Sequence, residues 1–269
     1  GSVEISIDND ESMYEFSTAK TNQYRASVNI SVGCDKKCTY CIVPSTRGEE
    51  ISIPPEMIVD QVKKSVALGA VEVTLLGQNV NSYGRNFSDG RGKYSFTNLL
   101  QDVSKIEGLE RIRFTSPHPL HMDDDFIEEF ARNPKISKCI HMPLQSGSTK
   151  ILKAMKRGYT KEWFLNRAFK MRELIPDLRI TTDIIVAFPG ETNEDFLDTL
   201  DVVNQVKFDQ IFNFKYSPRP NTKALELKDL EIEDSIGSAR LDELIELHKR
   251  YLEKSMPDMI GKTVNVLVE

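Results

Sequence analysis

The chain has 269 residues, and 41 acidic against 35 basic side chains give a net charge of −6, with 28% charged and 39% hydrophobic residues. This soluble-globular composition excludes disordered, collagenous and disulfide-scaffold classes, and the length suits one large or two small domains. Apolar runs such as Ile184 to Phe188 have strand length, well short of the roughly 20 residues of a membrane span, and no secretory apolar region opens the chain. A cytoplasmic protein with no membrane partner is expected, and the acidic balance argues against a broad basic nucleic-acid footprint.

The polar stretch Val3 to Asn22, preceded by Gly1-Ser2 that reads as a cloning scar, is expected to be an extension or linker over residues 1–25. From Ala26 on, short β-branched runs alternate with amphipathic stretches. Ala26 to Val32 reads as a strand and Pro55 to Leu68 as a helix; Val71 to Leu76 and Phe96 to Ile106 repeat the unit. Arg111 to Thr115 with Asp123 to Arg132 follow, then Lys138 to Met142 with helices at Ser148 to Met155 and Lys161 to Leu174. Leu178 to Phe188 precedes a helix from Asn193 to Val206 with Thr192 as N-cap; Gln210 to Tyr216 is the sixth strand, before a last helix at Ser235 to Lys254. Strands separated by helices imply parallel pairing, so an α/β fold is expected, either an open partial barrel or a doubly wound sheet, over residues 26–256. Residues 257–269 read as the first strand of a truncated β domain.

Loops bearing Gly, Pro and polar residues follow each strand: Gly33-Cys34, Gly77-Gln78-Asn79, Ser116-Pro117-His118, Gln145-Ser146-Gly147, Pro189-Gly190-Glu191 and Ser217-Pro218-Arg219. In parallel α/β folds that edge binds ligands, so the six loops point to one shared site. Turn chemistry alone explains the Gly and Pro, but not three cysteines in the first loop. Cys34, Cys38 and Cys41 have C-x3-C-x2-C spacing, which suits three irons of a [4Fe–4S] cluster with the fourth left open. A zinc-stabilised, non-enzymatic scaffold is the alternative; it needs a fourth ligand, and no His or Cys lies between Ile42 and His118. Cys139, inside a strand run, reads as a small buried hydrophobe. His118 and His141 read as structural hydrogen-bonding groups, and Lys150, Lys153, Lys156, Arg157 and Lys161 as a solvated helix face.

The cysteine loop resembles that of radical S-adenosylmethionine (SAM) enzymes. Further blocks resemble the methylthiotransferase family: Cys41 to Gly48, Leu76 to Gly84, Thr115 to Pro119, Pro143 to Ser148 and Asp183 to Thr192. The Gly77 to Tyr83 run is similar to that of the tRNA-modifying members. The resemblance implies an open partial (β/α)6 TIM-like barrel of the radical SAM type, binding a [4Fe–4S] cluster and SAM. It implies methylthio insertion at C2 of N6-isopentenyladenosine beside the anticodon by way of a 5′-deoxyadenosyl radical, with methylthiolation of a ribosomal-protein aspartate as the alternative.

By the same resemblance, Cys34, Cys38 and Cys41 ligate the cluster. Gly77, Gln78, Asn79, Ser116, Gln145, Ser146, Arg157, Asp183, Val186 and Phe188 contact SAM, Arg157 through the SAM carboxylate. Arg47, Asn81, Tyr83, Lys215 and Arg219 contact the nucleotide. The implied partners are a tRNA anticodon stem-loop carrying N6-isopentenyladenosine and an electron donor such as flavodoxin or ferredoxin. The family's second [4Fe–4S] cluster needs three more cysteines and is expected only in a full-length protein, so this chain is expected to cleave SAM without completing methylthio transfer. Ala187 stands where the family often has glycine.

Overall fold

The computed structural model describes residues 19–20, 24–87, 94–255, 260–263 and 266–267. In chain order the elements are β1 (Ala19–Lys20), β2 (Arg25–Asn29), β3 (Ser31–Val32), α1 (Val43–Arg47), β4 (Ile51–Ser52), α2 (Pro55–Ala67) and β5 (Glu72–Leu76). There follow α3 (Phe96–Ser104), β6 (Arg111–Phe114), α4 (Asp124–Arg132), β7 (Cys139–His141), α5 (Thr149–Ala154) and α6 (Lys161–Leu174). β8 (Arg179–Val186), α7 (Asn193–Val206), β9 (Gln210–Lys215) and α8 (Asp234–Ser255) complete the strands and α-helices, and short 3-10 helices lie at Val80–Ser82, Pro119–His121 and Lys223–Leu230.

Six of these strands form the parallel series expected from the alternation. β2 pairs with β5 and β5 with β6, while β7 pairs with β8 and β8 with β9, all parallel. The two halves meet at a single parallel bridge, Ile112 to Ile136, where the Ile112 amide donates to Lys135 (2.8 Å) and the Ser137 amide to Ile112 (3.0 Å). The architecture is therefore an open (β/α)6 partial barrel with a thin seam between β6 and β7.

Along β8 burial alternates strictly: Ile180, Thr182, Ile184 and Val186 are buried towards the helices, while Thr181, Asp183 and Ile185 are half-exposed on the inner face. The core lies between strands and helices, where Phe114 packs edge to face on both Phe126 and Phe130, each pair adding on the order of 1 kcal/mol beyond its buried area. Helix starts follow local chemistry: Ser95 and Thr192 each close a reciprocal capping box, with Asn98 and Asp195.

The first expected strand is broken. Residues Ser31–Val32 leave β2 and pair antiparallel with Ile51–Ser52 of β4, so that a two-stranded ribbon carries the cysteine loop between its arms. Ala19–Lys20, inside the expected linker, adds an antiparallel edge to β2. Beyond α8 the described residues 260–263 and 266–267 form no strand; the rest of the expected C-terminal strand, like Val3 to Thr18, lies outside the described residues.

Candidate cofactor site

The loop from Gly33 to Gly48 rises at the C-terminal ends of the strands. Gly33 has φ +78°, and a Cβ there would sit 2.0 Å from the Glu49 carbonyl oxygen, so only glycine lets the ribbon close under the loop. The Cys34 amide donates to Gly48 (3.1 Å) and the Cys41 amide to Cys38 (3.1 Å). Thr39 ties the loop to the end of α5: its amide donates to Met155 (3.1 Å) and its hydroxyl to Ala154 (3.0 Å). The Ala224 amide returns a bond to the Thr39 carbonyl (2.8 Å). Beneath the loop Tyr40 packs on a small apolar cluster of Ile151, Met155, Phe188 and Ala224.

The thiols of Cys34, Cys38 and Cys41 are close enough to feel one another. Burial pushes Cys34 and Cys41 up from the ordinary thiol value, and the charge of neighbouring cysteines pushes the same way. Yet among the described residues no three His, Cys, Asp or Glu side chains are gathered so that they could hold one metal ion.

Around this loop the backbone is strained where the next strands end. Ser116 after β6 (φ +52°), Gln145 after β7 (φ +71°) and Ala187 after β8 (φ +58°) are all left-handed without being glycine, which costs each about 1 kcal/mol or more. Surrounding contacts hold them there. The Gln145 amide donates to Asp183 (2.8 Å) and the Ile185 amide to Gln145 (2.9 Å). The Ala187 amide donates to the buried carboxylate of Glu191 (2.9 Å), which Arg240 of α8 grips at 2.7 Å.

Four buried polar atoms in neighbouring loops have no partner among the described residues: Ser31 Oγ, Gln78 Oε1, Asn79 Oδ1 and His118 Nε2. A Cβ on Gly77 would lie 2.5 Å from Ser31 Oγ, so glycine keeps the backbone open there. Buried polar atoms are normally satisfied, and a group of exceptions on one edge marks a place where a polar ligand fits.

The remaining expected site residues divide sharply. Arg47, Ser116 and Arg219 are exposed on this edge, and Asp183 is half-exposed with an oxygen 3.2 Å from His141 Nε2. Ser146 is buried near Thr199, and Val186 and Phe188 are buried in the two apolar clusters. Asn81 and Tyr83, expected at the nucleotide, are buried as well. Asn81 exchanges hydrogen bonds with the His118 backbone (3.0 and 2.7 Å), and the Tyr83 hydroxyl donates to Ile53 (2.5 Å). Lys215 points to the outer side of β9, where Asp234 (2.6 Å) and Ser238 (3.1 Å) of α8 take its ammonium.

Two sequence readings are corrected. Cys139 is exposed rather than a buried hydrophobe, because its position at the start of β7 faces the open interior of the barrel. The basic row is a solvated face only in part: Lys150, Lys153 and Lys156 are exposed, Lys150 reaching Asp195, whereas Lys161 is half-buried between Asp198 and Asp201 and Arg157 is buried. Two carboxylates given no role in the sequence reading, one of them in the expected loop Pro189-Gly190-Glu191, also shape the site. Glu50 is buried and hydrogen-bonded by Ser82 beside the cysteine loop, and Glu191 clamps Ala187; carboxylates next to a Gly or Pro turn were the available signal.

The chain is similar along its whole length to curated proteins named tRNA-2-methylthio-N(6)-dimethylallyladenosine synthase. That of Aliarcobacter butzleri is 85% identical over 269 residues, 100% of this chain and 62% of that protein. That of Nitratiruptor sp. is 60% identical over 267 residues, 99% of this chain and 61% of that protein. The chain thus spans about three-fifths of the length of the curated relatives it matches. Among solved structures, the radical S-adenosylmethionine methyltransferase TsrM from Kitasatospora setae superposes with a TM-score of 0.60 at 17% identity, over 74% of this chain and 38% of that one. Coproporphyrinogen III oxidase (HemN) from Escherichia coli gives 0.58 at 15% identity, over 85% and 52%. These two establish a shared fold. With the Radical SAM superfamily model matching residues 28–203, well over half of the chain, the chain belongs to the radical SAM superfamily.

Proposed function

We propose that this chain is the radical-generating core of a tRNA methylthiotransferase acting on N6-isopentenyladenosine beside the anticodon. The observation that carries the reading is the 85% identity over all 269 residues to a tRNA-2-methylthio-N(6)-dimethylallyladenosine synthase. The superfamily's cofactors, a [4Fe–4S] cluster and SAM, fit the residues present. Three soft thiols on one pinned loop, near enough to feel one another's charge, would suit the ligands of such a cluster. The unpartnered oxygens Gln78 Oε1 and Asn79 Oδ1 are acceptors only, and so match the ammonium of the methionine part of SAM.

When bound, the two cofactors supply one-electron reductive cleavage of the sulfonium. The chain's own part is to hold and to exclude. Cys34, Cys38 and Cys41 hold the irons, Gly77 admits the methionine end close to the backbone, and Gln145 and Ser116 shape the walls. Asp183, kept in place by His141, which in turn meets the Thr181 hydroxyl at 2.9 Å, lines the interior and orients a ligand there. Exposed Arg47 and Arg219 on the same edge suit nucleic-acid phosphates. The tRNA stem-loop, a flavodoxin or ferredoxin as reductant, a cytoplasmic location and the sulfur-handling step belong to this proposal for the longer protein. No helix among the described residues is long and apolar enough to cross a membrane.

The test is the yield of 5′-deoxyadenosine from anaerobically reconstituted chain with SAM and dithionite. Product is expected from the wild type, with a fall to background in Cys38→Ala. A chain with a verified full cluster that forms none would overturn the proposal.

A further inference from the structure

The described residues include two buried arginines, and they are treated differently. Arg240, 9% exposed, has a carboxylate: Glu191 Oε1 lies 2.7 Å from its Nη1. Arg157, 5% exposed, has none. Its Nε donates to the Tyr159 hydroxyl (3.1 Å), its Nη2 to the Pro143 carbonyl (3.0 Å) and its Nη1 to Cys38 Sγ (3.4 Å). Its guanidinium also lies over the Tyr159 ring, 5.5 Å from the centroid. The Tyr159 hydroxyl in turn donates to Pro143 (2.9 Å), so the fork is fixed from behind and aimed at the cysteine.

A buried cation is tolerated when it is paired, and unpaired burial costs several kcal/mol. Of Arg157's three hydrogen-bond partners, only Cys38 becomes an anion on ligating iron. We propose that Arg157 is the built-in counter-ion of the cluster, donating through Nη1 to the Cys38 thiolate and easing the cluster's uptake of an electron. A guanidinium hydrogen bond withdraws charge from a ligating sulfur, which favours the reduced, more negative cluster. Arg157 is thus a positioning and tuning residue whose guanidinium serves Cys38 rather than the SAM carboxylate. The inference rests on the proposed cluster at Cys34, Cys38 and Cys41, not on the identity of the RNA substrate.

The test is a redox titration of the reconstituted chain without SAM, following the reduced cluster by electron paramagnetic resonance. At a fixed poise, Arg157→Met is expected to lower the ratio of reduced to oxidised cluster on the order of tenfold, the scale of an outer-shell ligand contact. The cluster-free Arg157→Met chain is expected to melt no lower than cluster-free wild type, since it loses an uncompensated buried charge. If Arg157→Met takes up no cluster, Arg157→Lys decides, with a severalfold fall expected because a point charge replaces the fixed fork. An unchanged ratio, in either variant, together with tenfold weaker SAM binding would overturn the inference and assign Arg157 to the SAM carboxylate. The titration uses neither SAM nor RNA, so absence of 5′-deoxyadenosine breaks the proposed function while leaving this result standing; a wild-type chain that takes up no cluster breaks both.

Discussion

At the N-terminal end of the barrel strands, Glu72 is 2% exposed and surrounded by three guanidinium groups: Arg25 and Arg111 at 3.0 Å and Arg113 at 3.1 Å. Arg179 adds a pair with Asp209 (2.6 Å) on the other half. At the C-terminal end the buried guanidinium of Arg157 meets a thiol, three non-glycine residues are left-handed, and four buried polar atoms lack partners. The first end gathers its buried charge on one carboxylate met by three guanidinium groups, while the second places left-handed residues directly after three strands and, between them, polar atoms that a cofactor can satisfy. In parallel α/β barrels this division separates stability from chemistry.

The comparison breaks first at Glu72. Replacing it with alanine leaves three facing cations, and a loss on the order of 3 kcal/mol in urea unfolding is expected, with iron uptake by the cysteine loop retained. A loss below about 1 kcal/mol, the scale of an exposed pair, would mean that the closed end is not held by its pairs.

Acid sharpens the contrast from the other side. Burial, aided by Lys36 and Arg85, holds His121 down to about 3, far below its unfolded value of about 6.5. The folded chain therefore binds fewer protons than the unfolded one in that window. The contribution is fully present above pH 6.5 and is lost as pH falls towards 3. By about pH 4.5 the expected loss is about 3 kcal/mol, and His121→Gln should flatten that part of the urea-midpoint profile. An identical slope in the variant would remove His121 from the account.

Ala187 tests whether the strained end stores backbone energy. Ala187→Gly is expected to raise stability by about 1 kcal/mol, read as a higher melting temperature, because glycine accepts φ +58° without a Cβ clash. The smallest effect lies behind it. A Cβ on Gly237 of α8 would sit 3.0 Å from both Ala187 Cβ and Lys215 Cδ. Gly237→Ala should cost more in the wild-type chain than in the Ala187→Gly background, by roughly 0.5 kcal/mol in a double-mutant cycle.

The six parallel strands and their helices were legible because the alternation of β-branched runs with amphipathic stretches is a local signal, and Lys161–Leu174 matches its expected bounds residue for residue. The break after Asn29 was not, since Ile30 continues the same apolar alternation and the turn into the ribbon depends on pairing with distant Ile51–Ser52. The cysteine spacing announced the site, yet it could not say which loop residues face inward. Asn81 and Tyr83 look like surface polar groups in sequence, and only the packing of neighbouring loops commits them to His118 and Ile53. Arg157 misled for a similar reason: a row of lysines around it suggests a wet helix face, but it lies beyond the end of α5, on a turn that points inward to Cys38.

The bonds from Thr39 to Ala154 and Met155, with that from Ala224 back to Thr39, tie the cysteine loop to two distant elements of the frame. Small zinc domains fold only when metal closes them, so their affinity for metal is spent on ordering the chain. Here three contacts to distant elements share in that ordering. Cluster assembly on this chain is then a binding event on a standing scaffold: iron affinity should change little with denaturant until the whole barrel unfolds, and a chain stripped of iron should regain it without refolding.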